Sequence, residues 1–141
     1  MQYRVLITGS RQADPDEARA AITQQFGRLR EFARERGHTV VIIHGGARGV
    51  DSIADVVAKQ HQFTTVTVYP QWDDHPGSPG TAAYSRNVQM VEEWLPEVCL
   101  AFNAGTRGTQ HQIDICRKRG VPVREIAVQA TRTHTAQTTH P

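Results

Sequence analysis

The stretch Val40-Val41-Ile42-Ile43-His44-Gly45-Gly46-Ala47-Arg48-Gly49-Val50-Asp51 decides the fold. It opens on four β-branched apolar residues, the composition of a strand buried on both faces of a parallel sheet. Gly45, Gly46 and Gly49 follow within five residues. Ile53, Ala54, Val57 and Ala58 then fall on one helical stripe. Strand, glycine-rich turn and helix in that order suit an anion. Glycines let the backbone come close to a phosphate, and a helix N-terminus offers free N–H groups and partial positive charge. The same order also makes an ordinary strand-to-helix turn, so its context has to decide.

That context lies on either side. Residues 3–8 form an apolar strand that enters Gly9-Ser10-Arg11, a second small-residue turn. Ser10 can cap or donate to an anion, and Arg11 can make a paired contact with phosphate. Asp14-Pro15 opens a helix. Ala18, Ile22, Phe26, Leu29 and Ala33 carry its apolar face to about Arg36, and Gly37 ends it. Residues 64–69 read as a third strand. Residues 70–83 have no periodicity and hold Trp72, Asp73, Asp74 and His75. A loop of this length is functional or disordered; Trp72 is either its hydrophobic anchor or a stacking face.

Residues 84–95 read as a third helix with Val88, Val91 and Leu95 on one face and Arg86 and Asn87 in its first turn. Residues 98–102 form a fourth strand. It runs into the third glycine-rich turn, residues 103–109, which holds Gly105, Gly108 and Thr109. A fourth helix follows over 110–119, and a short fifth strand over 121–126. From residue 128 the chain is Thr, Gln and His without apolar pattern, which predicts a disordered tail after a single domain of residues 1–127. His134 and His140 in that tail read as solvated.

Five strands alternating with four helices predict an α/β fold: a Rossmann-like, doubly wound parallel sheet of order 3-2-1-4-5 with helices on both faces. Ligands in such sheets sit at the carboxyl ends of the strands, near the switch point between the first and fourth strands. All three glycine turns follow strands that end there.

The bulk numbers narrow the function. The 141 residues suffice for one domain with a core; 38% are hydrophobic and 21% charged. A net charge of +2 does not call for a nucleic-acid partner. Cys99 and Cys116 lie in apolar periodic stretches and read as buried thiols of a reducing compartment. No metal-ligand spacing appears, and no metal or cofactor is expected beyond the nucleotide itself. The apolar runs are too short for a membrane, and a cytoplasmic location is expected.

Ile7-Thr8-Gly9-Ser10-Arg11, His44-Gly45-Gly46-Ala47-Arg48-Gly49-Val50-Asp51, Arg86-Asn87-x-x-Met90 and Gly108-Thr109 before a helix together resemble the SLOG superfamily. Within it they are most similar to the YspA/YpsA-related branch, over residues 3–126. The resemblance implies a Rossmann-like nucleotide pocket and a homodimer or higher homo-oligomer. Relatives within the superfamily include the LOG phosphoribohydrolases, which cleave an N-glycosidic bond, and the DNA-processing protein DprA. In the LOG motif a glutamate follows the Gly-Thr turn and works with an upstream arginine. Arg86 matches the arginine, but Gln112 stands at the glutamate position and cannot ionise.

The ligand-binding candidates are therefore Gly9, Ser10, Arg11, Gly45, Gly46, Arg48, Gly49, Asp51, Arg86, Asn87, Gly105, Gly108 and Thr109. Arg86 and Asp51 are the catalytic candidates if there is catalysis. Asp51 either bonds a ribose or braces its loop and helix dipole. His44 reads as structural and His111 as solvent-facing. The function expected is binding of a nucleotide or nucleotide-derived ligand, such as AMP, ADP-ribose or NAD, as a sensor or sequestering module. The rivals are a LOG-like nucleoside monophosphate hydrolase and a DprA-like DNA binder.

Overall fold

A computed structural model of the chain describes residues 1–71 and 79–131. Five strands and four helices alternate: β1 (Gln2–Gly9), α1 (Pro15–Arg36), β2 (Thr39–His44), α2 (Val50–Gln60), β3 (Thr64–Thr67), α3 (Pro79–Glu92), β4 (Val98–Asn103), α4 (Arg107–Lys118) and β5 (Val123–Ala127). The strands form one sheet of order β3-β2-β1-β4-β5. Each neighbouring pair runs parallel, so the expected doubly wound sheet is present.

The unbroken apolar runs are explained by two cores. Val5, Ile7, Ile42, Leu100 and Phe102 pack on one face with Ile22 and Phe26 of α1 and Ala54 and Val57 of α2. The alternate residues Leu6, Val41, Ile43, Cys99 and Ala101 pack on the other face with Met90 and Val91 of α3 and Ile113 of α4. A strand covered on both sides has no polar face to alternate with. The α1 boundaries follow from its caps: Asp14 accepts the Glu17 N–H at 3.0 Å, and Gly37 closes the helix in the left-handed region.

Several boundaries differ from the sequence expectation. Helix α3 starts at Pro79, five residues earlier than expected, with proline at the first helical position where a missing N–H does no harm. It ends at Glu92 rather than 95, because Pro96 disfavours helix in the residue before it. Leu95 has φ 49° and is exposed rather than on the buried face. Helix α4 begins at Arg107, three residues early, with Thr106 extended as its N-cap. Strand β3 stops at Thr67 and β5 starts at Val123, after Pro122, which has no N–H for the ladder.

The folded unit also runs past the boundary expected at residue 127. Val128 is buried in the α1–α2 core. The Asp14 N–H donates to the Gln129 carbonyl at 2.8 Å, the Thr131 N–H to the Gln12 carbonyl at 2.6 Å, and Ala13 pairs with Ala130. Residues 128–131 fold because the β1–α1 loop offers them an antiparallel bridge and backbone hydrogen bonds, a tertiary partner that composition does not show. Trp72, Asp73, Asp74, His75, His134 and His140 lie outside the described residues.

Candidate functional site

A cleft of about 320 Å3 opens at the carboxyl ends of β1 and β4, where the strand order reverses. Its floor is Ile7, Thr8 and Gly9 at the end of β1. Arg11 and Gln12 form one rim. Tyr84, Arg86, Asn87 and Met90 of α3 form the facing wall. The cap and first turn of α4, Thr106, Gly108 and Thr109, close one end, so N–H groups of a helix start, without intrahelical partners, lie at the cleft.

The glycine turn after β2 is built around two charges. Asp51, 6% exposed in the first turn of α2, accepts the Gly45 N–H at 3.0 Å and the Ala47 N–H at 3.3 Å through Oδ2. Its Oδ1 has no hydrogen-bond partner among the described residues. Burial pushes the Asp51 carboxyl above its ordinary pKa; His44, the Ala47 N–H, Arg86 and the Gly45 N–H pull downward without cancelling that effect. Arg86, 8% exposed, donates from Nη1 to the Gly45 carbonyl at 2.6 Å and from Nε to Asn87 Oδ1 at 3.1 Å. Burial lowers the pKa of Arg86; Asp51 opposes that, and Arg11 adds to it as a like charge close by. The guanidinium stays charged.

Arg11 is the other cation of the cleft. It is exposed, and among the described residues it has no hydrogen-bond or ion-pair partner. Its backbone position is fixed by Gly49. That residue has φ +78°, and a Cβ there would meet the Ser10 carbonyl oxygen at 2.6 Å and Arg11 Cα at 2.8 Å. The glycine serves the interlocking of two loops.

Residues 3–75 match the model of the YspA, cpYpsA-related SLOG family. The chain belongs to that family. It is 36% identical over 126 residues to the Gene 61 protein of Mycobacterium phage D29, a span of 85% of this chain and 93% of that protein. Two solved structures share the fold. TM1055 aligns with a TM-score of 0.62 and 19% identity, over 86% of this chain and 72% of its own. The DNA processing protein A (DprA) of Streptococcus pneumoniae aligns with a TM-score of 0.66 and 17% identity, over 87% of this chain and 50% of its own.

Within this SLOG fold, Gly9, Arg11, Asp51, Arg86, Asn87, Gly108 and Thr109 line this cleft together. Ser10 is buried, and its Oγ accepts the Gln12 N–H at 3.0 Å. Gly45, Gly46, Arg48 and Gly49 lie behind or beside the cleft rather than on its wall. Gly105 sits before the α4 cap, its N–H taken by Asn103 Oδ1 at 2.7 Å. Arg86 lies in the middle of α3, not in its first turn, because the helix starts five residues earlier.

Gln112 is fully buried between α3 and α4 and does not line the cleft. Its Nε2 donates to the Asn87 carbonyl at 3.1 Å, and its Oε1 has no partner among the described residues. His44 is satisfied on both nitrogens: Nδ1 accepts the Gly46 N–H at 3.0 Å and Nε2 meets Asp55 at 2.8 Å. That assigns the proton to Nε2. His111 is half-buried rather than solvent-facing: it stacks on Tyr84 and bonds Asn87. Tyr84, Thr106, Gln12 and Met90 are cleft residues beyond the expected set. Met90 stood in the motif that carried the resemblance, and Thr106 carried a signal as a threonine three residues before another at a helix start.

Cys99 and Cys116 are buried free thiols. No group of His, Cys, Asp and Glu that could hold a metal occurs among the described residues. No described helix is long and apolar enough to cross a membrane.

Proposed function

We propose that the chain binds a nucleotide of mononucleotide size in this cleft, with its phosphate held by Arg11, Arg86 and the first turn of α4. The observation that carries the reading is the cleft's charge. Two guanidinium groups face it, one of them exposed and unpaired among the described residues. Only one acidic side chain, Asp51, lines it among those residues. An anion with several acceptor oxygens matches that set. A volume of about 320 Å3 is at the small end of ligand sites and suits AMP better than ADP-ribose or NAD.

Asp51 lines the cleft, and its Oδ1, without a hydrogen-bond partner among the described residues, would accept a ribose hydroxyl. Membership of the SLOG family supports a nucleotide-related role. Calorimetric titration with AMP and adenosine tests the reading. AMP should bind, and adenosine should bind at least tenfold more weakly. Arg11→Ala should weaken AMP by roughly tenfold or more, the loss of one charge-assisted contact. Equal binding of AMP and adenosine would remove the phosphate site.

A second reading, cleavage of an N-glycosidic bond, has one observation in its favour. Asp51 is a carboxyl in the cleft with a raised pKa, as an acid–base group requires. Its Oδ2 is committed to two backbone N–H groups, which favours bracing over proton transfer. Release of free adenine from AMP, abolished by Asp51→Asn, would establish the enzyme. A DNA-binding role draws no support from a net charge of +2.

A further inference from the structure

We infer that Tyr84, backed by His111, is the wall on which the base of the ligand stacks, so that the cleft selects a nucleotide over a bare sugar phosphate. The inference rests on the nucleotide reading and adds the group that recognises the base. Tyr84 is 46% exposed although it sits on a helix that buries its other face. Its ring lies on the His111 imidazole, centroids 4.0 Å apart and planes 28° from parallel. One ring face is thus covered, and the ring borders the cleft. The hydroxyl has no hydrogen-bond partner among the described residues. A half-exposed aromatic ring held flat by a second ring is a stacking platform, and every base has a π-face to offer it.

The platform is tied to the phosphate side of the cleft. His111 Nδ1 meets Asn87 Nδ2 at 3.0 Å, while Asn87 Oδ1 accepts from Arg86 Nε. One buried amide therefore orients both the imidazole beneath Tyr84 and the guanidinium beside the glycine turn. Base and phosphate subsites are fixed relative to each other before any ligand enters, which lowers the ordering cost of binding. Nothing about Tyr84 is needed to hold a phosphate alone.

The test uses calorimetry on the full chain with AMP and ribose 5-phosphate as probes. The natural protein should bind AMP more tightly than ribose 5-phosphate. Tyr84→Ala should weaken AMP by roughly five- to a hundredfold and leave ribose 5-phosphate within about twofold. Tyr84→Phe should keep AMP within about twofold, because the ring and not the hydroxyl does the stacking. Unchanged melting temperatures in both variants would show that the fold is intact. Equal affinity of the natural protein for both probes overturns the stacking wall while the phosphate cleft stands. So does a Tyr84→Ala protein that binds AMP normally, or a Tyr84→Phe protein that fails like Tyr84→Ala. Failure of both probes to bind the natural protein overturns the nucleotide reading, and this inference with it.

Discussion

Arg86 Nη1 donates to the Gly45 carbonyl at 2.6 Å, and a Cβ placed on residue 45 would fall 2.3 Å from that same nitrogen. The Gly45 peptide is held from both ends, its N–H by Asp51 and its carbonyl by Arg86. The glycine is there to let a guanidinium in. Gly45→Ala should therefore push Arg86 out of place and weaken AMP binding about as much as Arg86→Ala does. Arg86→Ala itself leaves a buried carbonyl without its partner and should cost about 1–3 kcal/mol of stability. Urea denaturation measures the stability and calorimetry the binding. A Gly45→Ala protein with natural affinity and stability would show that Arg86 moves freely.

Asp51 gives a pH signature. Burial raises its pKa in the folded chain above the ordinary 3.8, so the protonated form is favoured by folding. Its contribution to stability is fully present below the unfolded pKa and is lost as pH rises through the folded pKa. Asp51→Asn does not titrate. The melting temperature of the natural protein minus that of Asp51→Asn should therefore fall as pH rises from the ordinary carboxylate value of 3.8 upward. A constant difference would mean that the two N–H bonds cancel the burial.

Gln112 is a core residue, and charging it should harm the fold without creating an enzyme. Gln112→Glu would place a carboxyl against the Asn87 carbonyl oxygen that Nε2 now serves. Keeping that carboxyl buried at neutral pH should cost roughly 2–4 kcal/mol. Gln112→Leu loses the bond to the Asn87 carbonyl and the long one to Cys116 Sγ but also removes the orphaned Oε1, so it should change stability by less than about 1 kcal/mol. Adenine release assays on Gln112→Glu should stay at background. Turnover by that variant would place residue 112 in the cleft.

A chain ending at Ala127 should be less stable than one ending at Thr131. The longer form keeps the buried Val128 and the bonds from Asp14 to Gln129 and from Thr131 to Gln12. Their loss should cost about 2–4 kcal/mol. AMP binding should weaken too, because Gln12 lines the cleft beside Arg11. Equal unfolding midpoints for the two forms would show that residues 128–131 add nothing.

The sheet, its order and the end at which the cleft opens were legible in the sequence. Hydrophobic runs such as Val40–Ile43, without a polar face, require cover on both sides, and strands alternating with helices leave little choice of topology. The three glycine turns marked the strand ends for a similar local reason: chain direction and helix start are set by neighbours in sequence. What the residues in those turns do was decided only by tertiary packing. Arg86 and Gly45 are 41 residues apart, and only the fold makes one the reason for the other. Gln112 follows a Gly-Thr turn, yet it lies nearly one helical turn beyond Thr109, packed in the core against Asn87 instead of on the cleft wall. Tyr84 carried no signal at all, because an aromatic residue on a helix is read as core until its His111 partner and the open cleft beside it are in place. Periodicity reports which face of an element is covered; which side chains meet across elements depends on helix starts, and a shift of three or five residues in α4 and α3 was enough to reassign them.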